Sequence, residues 1–287
     1  MRRLARTLPA LALSVLASAC AAPARLSLPS GAGVPFPAFD SAWQQATQEC
    51  AGVRTVTAEL ALSGRAGKSR VRGRINAGFA EPGDMLLEGL APFGKPAFLL
   101  AARGGAATLV LPRDARVLRG AAPAAIVEAL AGVALTPADL RTAVAGCGLG
   151  PAAPGAGRSY GKDWAAADTT SGTVYLRRVE GRWRVAGAAR DGVTVQYTDF
   201  VSGRASTVFV RAAVADLTLR LSQVEINVPL DPTIFDIDIP KNAEPLTLEE
   251  LRRAGPLGQL GTATISPQDG RNGGCPQLPY PNGGCPL

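Results

Sequence analysis

Apolar and polar residues alternate with a period of two along much of this chain, most regularly between residues 55 and 79. Val56, Ala58, Leu60 and Leu62 are interleaved with Thr55, Thr57, Glu59 and Ser63, and Val71, Gly73, Ile75, Ala77 and Phe79 with Arg70, Arg72, Arg74 and Asn76. Successive side chains of a strand point to opposite faces, so each segment is a strand with one face to bury. Arg70, Arg72 and Arg74 read either as a comb for an anionic ligand or as a solvated strand face. Further strands are predicted at residues 84–91, 96–103 and 106–111. The last two are joined at Gly104-Gly105, which makes a meander of antiparallel hairpins.

The period is helical in three other places. Phe39, Trp43, Ala46 and Cys50 share one face of a helix capped by Asp40 or Ser41. Between residues 122 and 146 a first short helix carries Ile126, Val127 and Leu130. A second begins at Thr136 with Pro137 in its first position and Leu140 and Val144 on one side. After a Pro/Gly-rich loop to about Gly161 the strands resume, with turns at Glu180-Gly181, Asp191-Gly192 and Ser202-Gly203. Leu217, Leu219 and Leu221 fall in one phase and Val224, Ile226 and Val228 in the other, which places a β-bulge near Ser222-Gln223. A last helix covers residues 246–254 and ends at Gly255-Pro256. The expectation is a mainly β domain over residues 39–254, with about nine to eleven antiparallel strands. A curved sheet of that size must cover its concave face, and the two inserted helices are the natural lid.

The N-terminus carries Arg2, Arg3 and Arg6, then an apolar run over residues 8–16, then Ala17-Ser18-Ala19 before Cys20. This is a signal peptide over residues 1–19, too short to span a bilayer. The approach to Cys20 resembles the lipobox of bacterial lipoproteins, with Ala17 where Leu is commonest, and implies a lipid-bearing Cys20. Ordinary cleavage after Ala19 is the alternative. Residues 20–38, rich in Ala, Pro, Gly and Ser, read as a flexible tether. Residues 255–287 read as a disordered tail except for a local disulfide.

With the three signal arginines removed, 27 basic residues face 23 acids, a net of +4. The basic residues have no interleaved aromatics, which argues against nucleic acid as a partner. The chain contains no histidine, so Ser-His or Cys-His catalysis and His-ligated zinc are excluded. Ser159 with Lys162 is the remaining conceivable nucleophile and base, in a segment read as Gly-rich loop. That segment is not a phosphate-binding loop, because Ala156 stands where the first glycine belongs and Asp163 where Ser or Thr should follow the lysine. No enzymatic activity, cofactor or metal is expected. Besides Cys20 there are Cys50, Cys147, Cys275 and Cys285, an even number in a disulfide-permitting compartment. Three connectivities are possible, and Cys50 with Cys147 and Cys275 with Cys285 is the expected one.

Three runs resemble the LolA/LolB lipoprotein-localisation superfamily, and within it the LolB-like outer-membrane receptors. They are Gly89-Leu90-Ala91-Pro92-Phe93-Gly94; Ala125-Ile126-Val127-Glu128-Ala129-Leu130-Ala131-Gly132 with Leu135-Thr136-Pro137-Ala138-Asp139-Leu140; and residues 175–197 with Trp183. The resemblance implies an unclosed antiparallel β-barrel with a helical lid over an apolar cavity, taking acyl chains or acylated lipoproteins without a cofactor. It also implies a periplasmic carrier protein as a partner. Cys50, Cys147, the stretch after Val228 and the cysteine tail depart from the family pattern. Ala21 rather than Asp after Cys20 leans towards the periplasmic face of the outer membrane.

The candidate cavity and lid residues are Leu60, Leu62, Ile75, Phe79, Leu87, Leu99, Ile126, Leu130, Leu140, Val144 and Trp183. Each reads equally as packed core. Phe93 lies in a proline-stiffened turn, either folded back on the sheet rim or, as the resemblance implies, exposed and entering the bilayer. The other functional reading is a structural or interaction lipoprotein that docks through the helix over residues 246–253 and the tail.

Overall fold

The computed structural model describes residues 24–90, 96–150 and 153–256. Its strands are β1 (Val34–Pro35), β2 (Thr55–Ala66), β3 (Ser69–Ala80), β4 (Asp84–Leu90), β5 (Phe98–Arg103), β6 (Ala106–Leu111), β7 (Arg116–Ala121), β8 (Pro154–Tyr160), β9 (Trp164–Thr169), β10 (Gly172–Val179), β11 (Arg182–Arg190), β12 (Val193–Val201), β13 (Arg204–Arg211), β14 (Ala215–Ile226) and β15 (Glu244–Pro245). The helices are α1 (Phe39–Thr47), α2 (Pro123–Ala131), α3 (Pro137–Val144) and α4 (Leu248–Ala254), with a 3-10 turn at Pro232–Phe235.

All fifteen strands form one sheet in the order β1-β8-β9-β10-β11-β12-β13-β14-β2-β3-β4-β5-β6-β7-β15. Neighbours are antiparallel except β15, which runs parallel to β7. β1 and β15 are the two edges, so the sheet is not closed. The alternation of the sequence sets the register: Val56 faces Phe79, Ala58 faces Ala77 and Leu60 faces Ile75, and all six are buried. Arg70, Arg72 and Arg74 point to the opposite face and are exposed. The bulge appears as a register shift between Ser222 and Glu225, with Gln223 at φ 50°. At Asp191-Gly192 both φ values are positive, 50° and 77°, the turn whose twist suits a tight hairpin.

The sheet exceeds the expected nine to eleven strands because β7, β8 and the two-residue edges carry no clear alternation. Pro154–Tyr160 is a strand, not the Gly-rich loop expected there. Gly157 explains its composition: a Cβ at that position would lie 1.9 Å from the Phe39 ring, so α1 sits directly on the strand backbone.

The expected tether is attached wherever it is described. Arg25 makes a bidentate ion pair with Asp216 on β14 and covers the Phe209 ring at 5.2 Å. The Leu26 N–H donates to Gln196 Oε1 at 3.2 Å, the Tyr160 hydroxyl donates to the Gly31 carbonyl at 3.1 Å, and β1 pairs with β8. At the other end of the chain the 3-10 turn packs on β4 and β5, β15 extends the sheet and α4 packs on α2.

The core lies between the concave face and the helices. α3 packs against β2 and β3, α2 against β6, and α1 against β8, β10 and β11. Among the described residues no helix is long and apolar enough to cross a membrane.

Candidate functional site

An apolar cavity of about 90 Å³ lies between the concave sheet face and the α2–α3 pair. The sheet supplies Leu60 and Leu62 (β2), Ile75 and Phe79 (β3), Leu87 (β4), Phe98 and Leu100 (β5), Val210 (β13) and Leu217 and Leu219 (β14). The cover supplies Val127, Leu130 and Ala131 from α2, Leu140 and Val144 from α3, and Val133 and Leu135 from the link between them. No polar side chain lines it. Six strands converge on it because the sheet curves around the helices.

The two cover helices are held differently. α3 begins with a capping box in which Thr136 Oγ accepts from the Asp139 N–H at 3.1 Å, and Asp139 Oδ2 accepts from the Thr136 N–H at 3.0 Å. The same Oδ2 accepts from Arg190 Nη2 of β11 at 2.7 Å, although the Asp139 side chain is only 4% exposed. Burial pushes the Asp139 carboxyl up, but the hydrogen bonds from Arg190 and Thr136 outweigh it and leave the carboxyl below its ordinary value. Arg141, also buried, pairs with Glu81 at 3.1 Å. Just beyond α3, the Gly148 N–H donates to the Tyr197 hydroxyl at 3.0 Å, and burial pushes that hydroxyl's pKa up. A disulfide joins Cys147 to Cys50, three residues past the end of α1. This pairing is the expected one.

α2 has fewer ties. Pro123 starts it, and the left-handed Gly132 ends it at φ 73°, its N–H donating to the Glu128 carbonyl at 2.7 Å. Its described ion pair joins two half-exposed groups, Glu128 and Arg252, at 3.5 Å. Behind α2 lies α4, whose Leu251 is 1% exposed within the common core. α4 starts with its own capping box, where hydrogen bonds from Thr247 hold the Glu250 carboxyl down at about 2. The helix read as a docking segment for a partner thus spends its apolar residue on its own chain.

Of the residues expected around a cavity, Leu60, Leu62, Ile75, Phe79, Leu87, Leu130, Leu140 and Val144 meet there. Three do not. Leu99 faces away from the lining residues Phe98 and Leu100, because β5 opens with an unbroken apolar run from which no phase can be read. Ile126 is fully buried, but Val127 lines the cavity in its place. Trp183 packs under the N-terminal segment, its ring 5.8 Å from Phe36 and 4.9 Å from the Arg178 guanidinium, while its backbone N–H donates to Gln45 Oε1 at 2.7 Å. It borders a separate polar cleft of about 250 Å³ with Gln45, Glu49, Arg182 and Arg204. Phe98, Leu100, Val210, Leu217 and Leu219 were not expected. The alternation around Leu217 and Leu219 contains the signal that would have found those two. Cys20, Phe93, Cys275 and Cys285 lie outside the described residues.

Among the described residues no cluster of His, Cys, Asp or Glu could hold a metal ion. Ser159 and Lys162 stand on an edge hairpin away from the cavity.

No protein-family model and no curated protein matches this chain. Its fold is similar to those of solved structures at low sequence identity, of which three follow. One is a LolA superfamily protein from Nitrosomonas europaea, with 13% identity, TM-score 0.46, and coverage of 72% of this chain and 99% of that one. Another is a putative outer membrane lipoprotein-sorting protein domain from Vibrio parahaemolyticus, with 11% identity, TM-score 0.43 and coverage of 70% and 96%. The third is LprF from Mycobacterium bovis, with 10% identity, TM-score 0.30 and coverage of 74% and 100%.

Proposed function

We propose that this chain is a noncatalytic lipoprotein, anchored through Cys20, that holds acyl chains of a lipid or an acylated lipoprotein beneath α2 and α3. Its role would be reception or insertion at the periplasmic face of the outer membrane. The supporting observation is a cavity lined only by apolar side chains from six strands and both cover helices. Burying alkyl chain there contributes about 0.8 kcal/mol per methylene.

The size of the cavity bears on how a chain would enter. About 90 Å³ is well below the roughly 300–1,000 Å³ of sites that hold small-molecule ligands. On this reading the cavity is in its closed state, and loading requires the cover to lift. α3 is tied by two ion pairs and the adjacent disulfide, whereas α2 rests on apolar contacts and one exposed ion pair. α2 is the part that moves, turning about Gly132, with α4 as its latch. Phe93, in the segment that joins β4 to β5, is proposed to enter the bilayer during transfer.

The test is displacement of a hydrophobic fluorescent probe from the purified protein, with a mass spectrum of any lipid that co-purifies. Acylated peptide should displace the probe and the same peptide without acyl chains should not. Ala131→Leu, which fills the cavity from α2, should weaken probe binding about tenfold. Equal displacement by both peptides, or unchanged binding by Ala131→Leu, would reject the carrier reading.

A further inference from the structure

The face of the sheet opposite the cavity is electrostatically split. At one end Arg211 (β13), Arg220 (β14), Arg65 (β2) and Arg70, Arg72 and Arg74 (β3) stand on four adjacent strands, all exposed. The registers align them: Arg211, Asp216, Arg65 and Arg70 form one row, Thr218, Ser63 and Arg72 the next, and Arg220, Ala61 and Arg74 the third. Strand spacing and rise spread these charges over an area of about 15 by 15 Å. Asp216, the carboxylate within these rows, is already taken by Arg25. None of the six arginines forms an ion pair within 4.0 Å among the described residues. The other end of the same face carries Glu59, Glu88 and Glu225. An exposed array of this width suits many anionic groups on a surface better than one buried anion.

Two observations indicate which surface. The chain enters the fold on this face, because Arg25 lies across β13 and β14 through Phe209 and Asp216. Cys20 is five residues before Arg25, so an anchor there would hold Arg25, at one border of the arginine array, within about 17 Å of the headgroups. The arginine end also carries two exposed apolar side chains, Val214 (59% exposed) beside the β2–β3 turn and Leu90 (39%) opposite Arg74.

We propose that the arginine end of this face docks on an anionic phospholipid surface and tilts the domain on the membrane, with the acidic end raised away from it. The proposal rests on the anchor reading for its orientation and is independent of the cavity reading.

The experiment is co-sedimentation of the full chain carrying Cys20→Ala with vesicles of phosphatidylcholine alone and with vesicles that also contain phosphatidylglycerol. The phosphatidylcholine arm measures whatever the apolar residues 8–16 contribute by themselves. Each arginine near an anionic surface is worth about fivefold in affinity. The triple variant Arg70→Gln, Arg72→Gln and Arg74→Gln should weaken the phosphatidylglycerol-dependent binding by about a hundredfold, and the corresponding Glu triple, which reverses the charges, by more. Raising the salt concentration should abolish it in the parent. Arg113→Glu with Arg119→Glu and Arg253→Glu changes the net charge equally elsewhere and should cost less than about threefold. Unchanged binding of the hydrophobic probe by the variants verifies folding, and a parent that binds no probe speaks against the cavity alone. Equal losses in the two Glu triples, equal binding to both vesicle types, or a preference for a DNA oligonucleotide over the anionic vesicles would each overturn the proposal.

Discussion

Asp139 ties a cover helix to the sheet through a single oxygen, and replacing it in two steps separates its roles. Oδ2 accepts from the Thr136 N–H, the Thr136 hydroxyl and Arg190 Nη2. Asp139→Asn keeps an acceptor in that place but removes the charge that faces Arg190. A charge-assisted bond is roughly twice as strong as a neutral one, and Arg190, 29% exposed, recovers part of its hydration, so a loss of about 1 kcal/mol is expected. Asp139→Ala also removes the cap, worth about 1 kcal/mol, and leaves Arg190, 29% exposed, only its looser contact with Asp191 at 3.7 Å, for a total of about 2 kcal/mol. Urea unfolding measures both. The acid limb gives an independent check. The folded carboxyl lies below its unfolded value, so its contribution is present above the ordinary carboxylate range and is lost as pH falls through the lower folded value. The difference in stability between wild type and Asp139→Asn should therefore shrink as pH falls below about 4. Losses under about 0.5 kcal/mol for Ala, or a difference that does not change with pH, would refute this account of how α3 is held.

Two further outcomes are expected. Cys50→Ala with Cys147→Ala opens a loop of 97 residues and should lower stability by about 4 to 5 kcal/mol on the chain-entropy model, as read by urea unfolding; a loss under about 1 kcal/mol would mean that the surrounding packing already orders this loop. Phe93→Glu should leave folding and probe binding intact while abolishing transfer of an acylated peptide to liposomes; an unfolded variant would return Phe93 to the core, and normal transfer would remove it from the mechanism.

What could be read from the sequence was what a local pattern dictates. β2 and β3 alternate cleanly because one face is buried and the other wet, and the slip after Leu221 marked a real bulge. Thr136 and Pro137 formed the expected helix start, to which the structure adds Asp139 as the other half of the cap. Where both faces of a strand are apolar, as from Phe98 to Ala102, the phase is hidden, which misplaced Leu99. β8 escaped notice because its small residues answer to Phe39, more than a hundred positions away. The attachment of residues 24–38 was hidden for the same reason. Nothing near Arg25 in sequence announces Asp216, and a stretch rich in Ala, Pro and Gly reads as free until its partners are in view.

The two edge strands are the only described strands two residues long, and each contains a proline: Pro35 on one border, Pro245 on the other. An open sheet of fifteen strands would otherwise present two rows of unpaired amides and carbonyls, templates on which other copies could stack into fibrils. A proline has no N–H to offer to an added strand, and two residues give an arriving chain little to align with. Both borders are sealed by segments that flank the main domain, β1 before α1 and β15 after β14. Proteolytic trimming at either end of the fold would thus strip a cap and leave β8 or β7 as an aggregation-competent edge, with the rest of the core untouched.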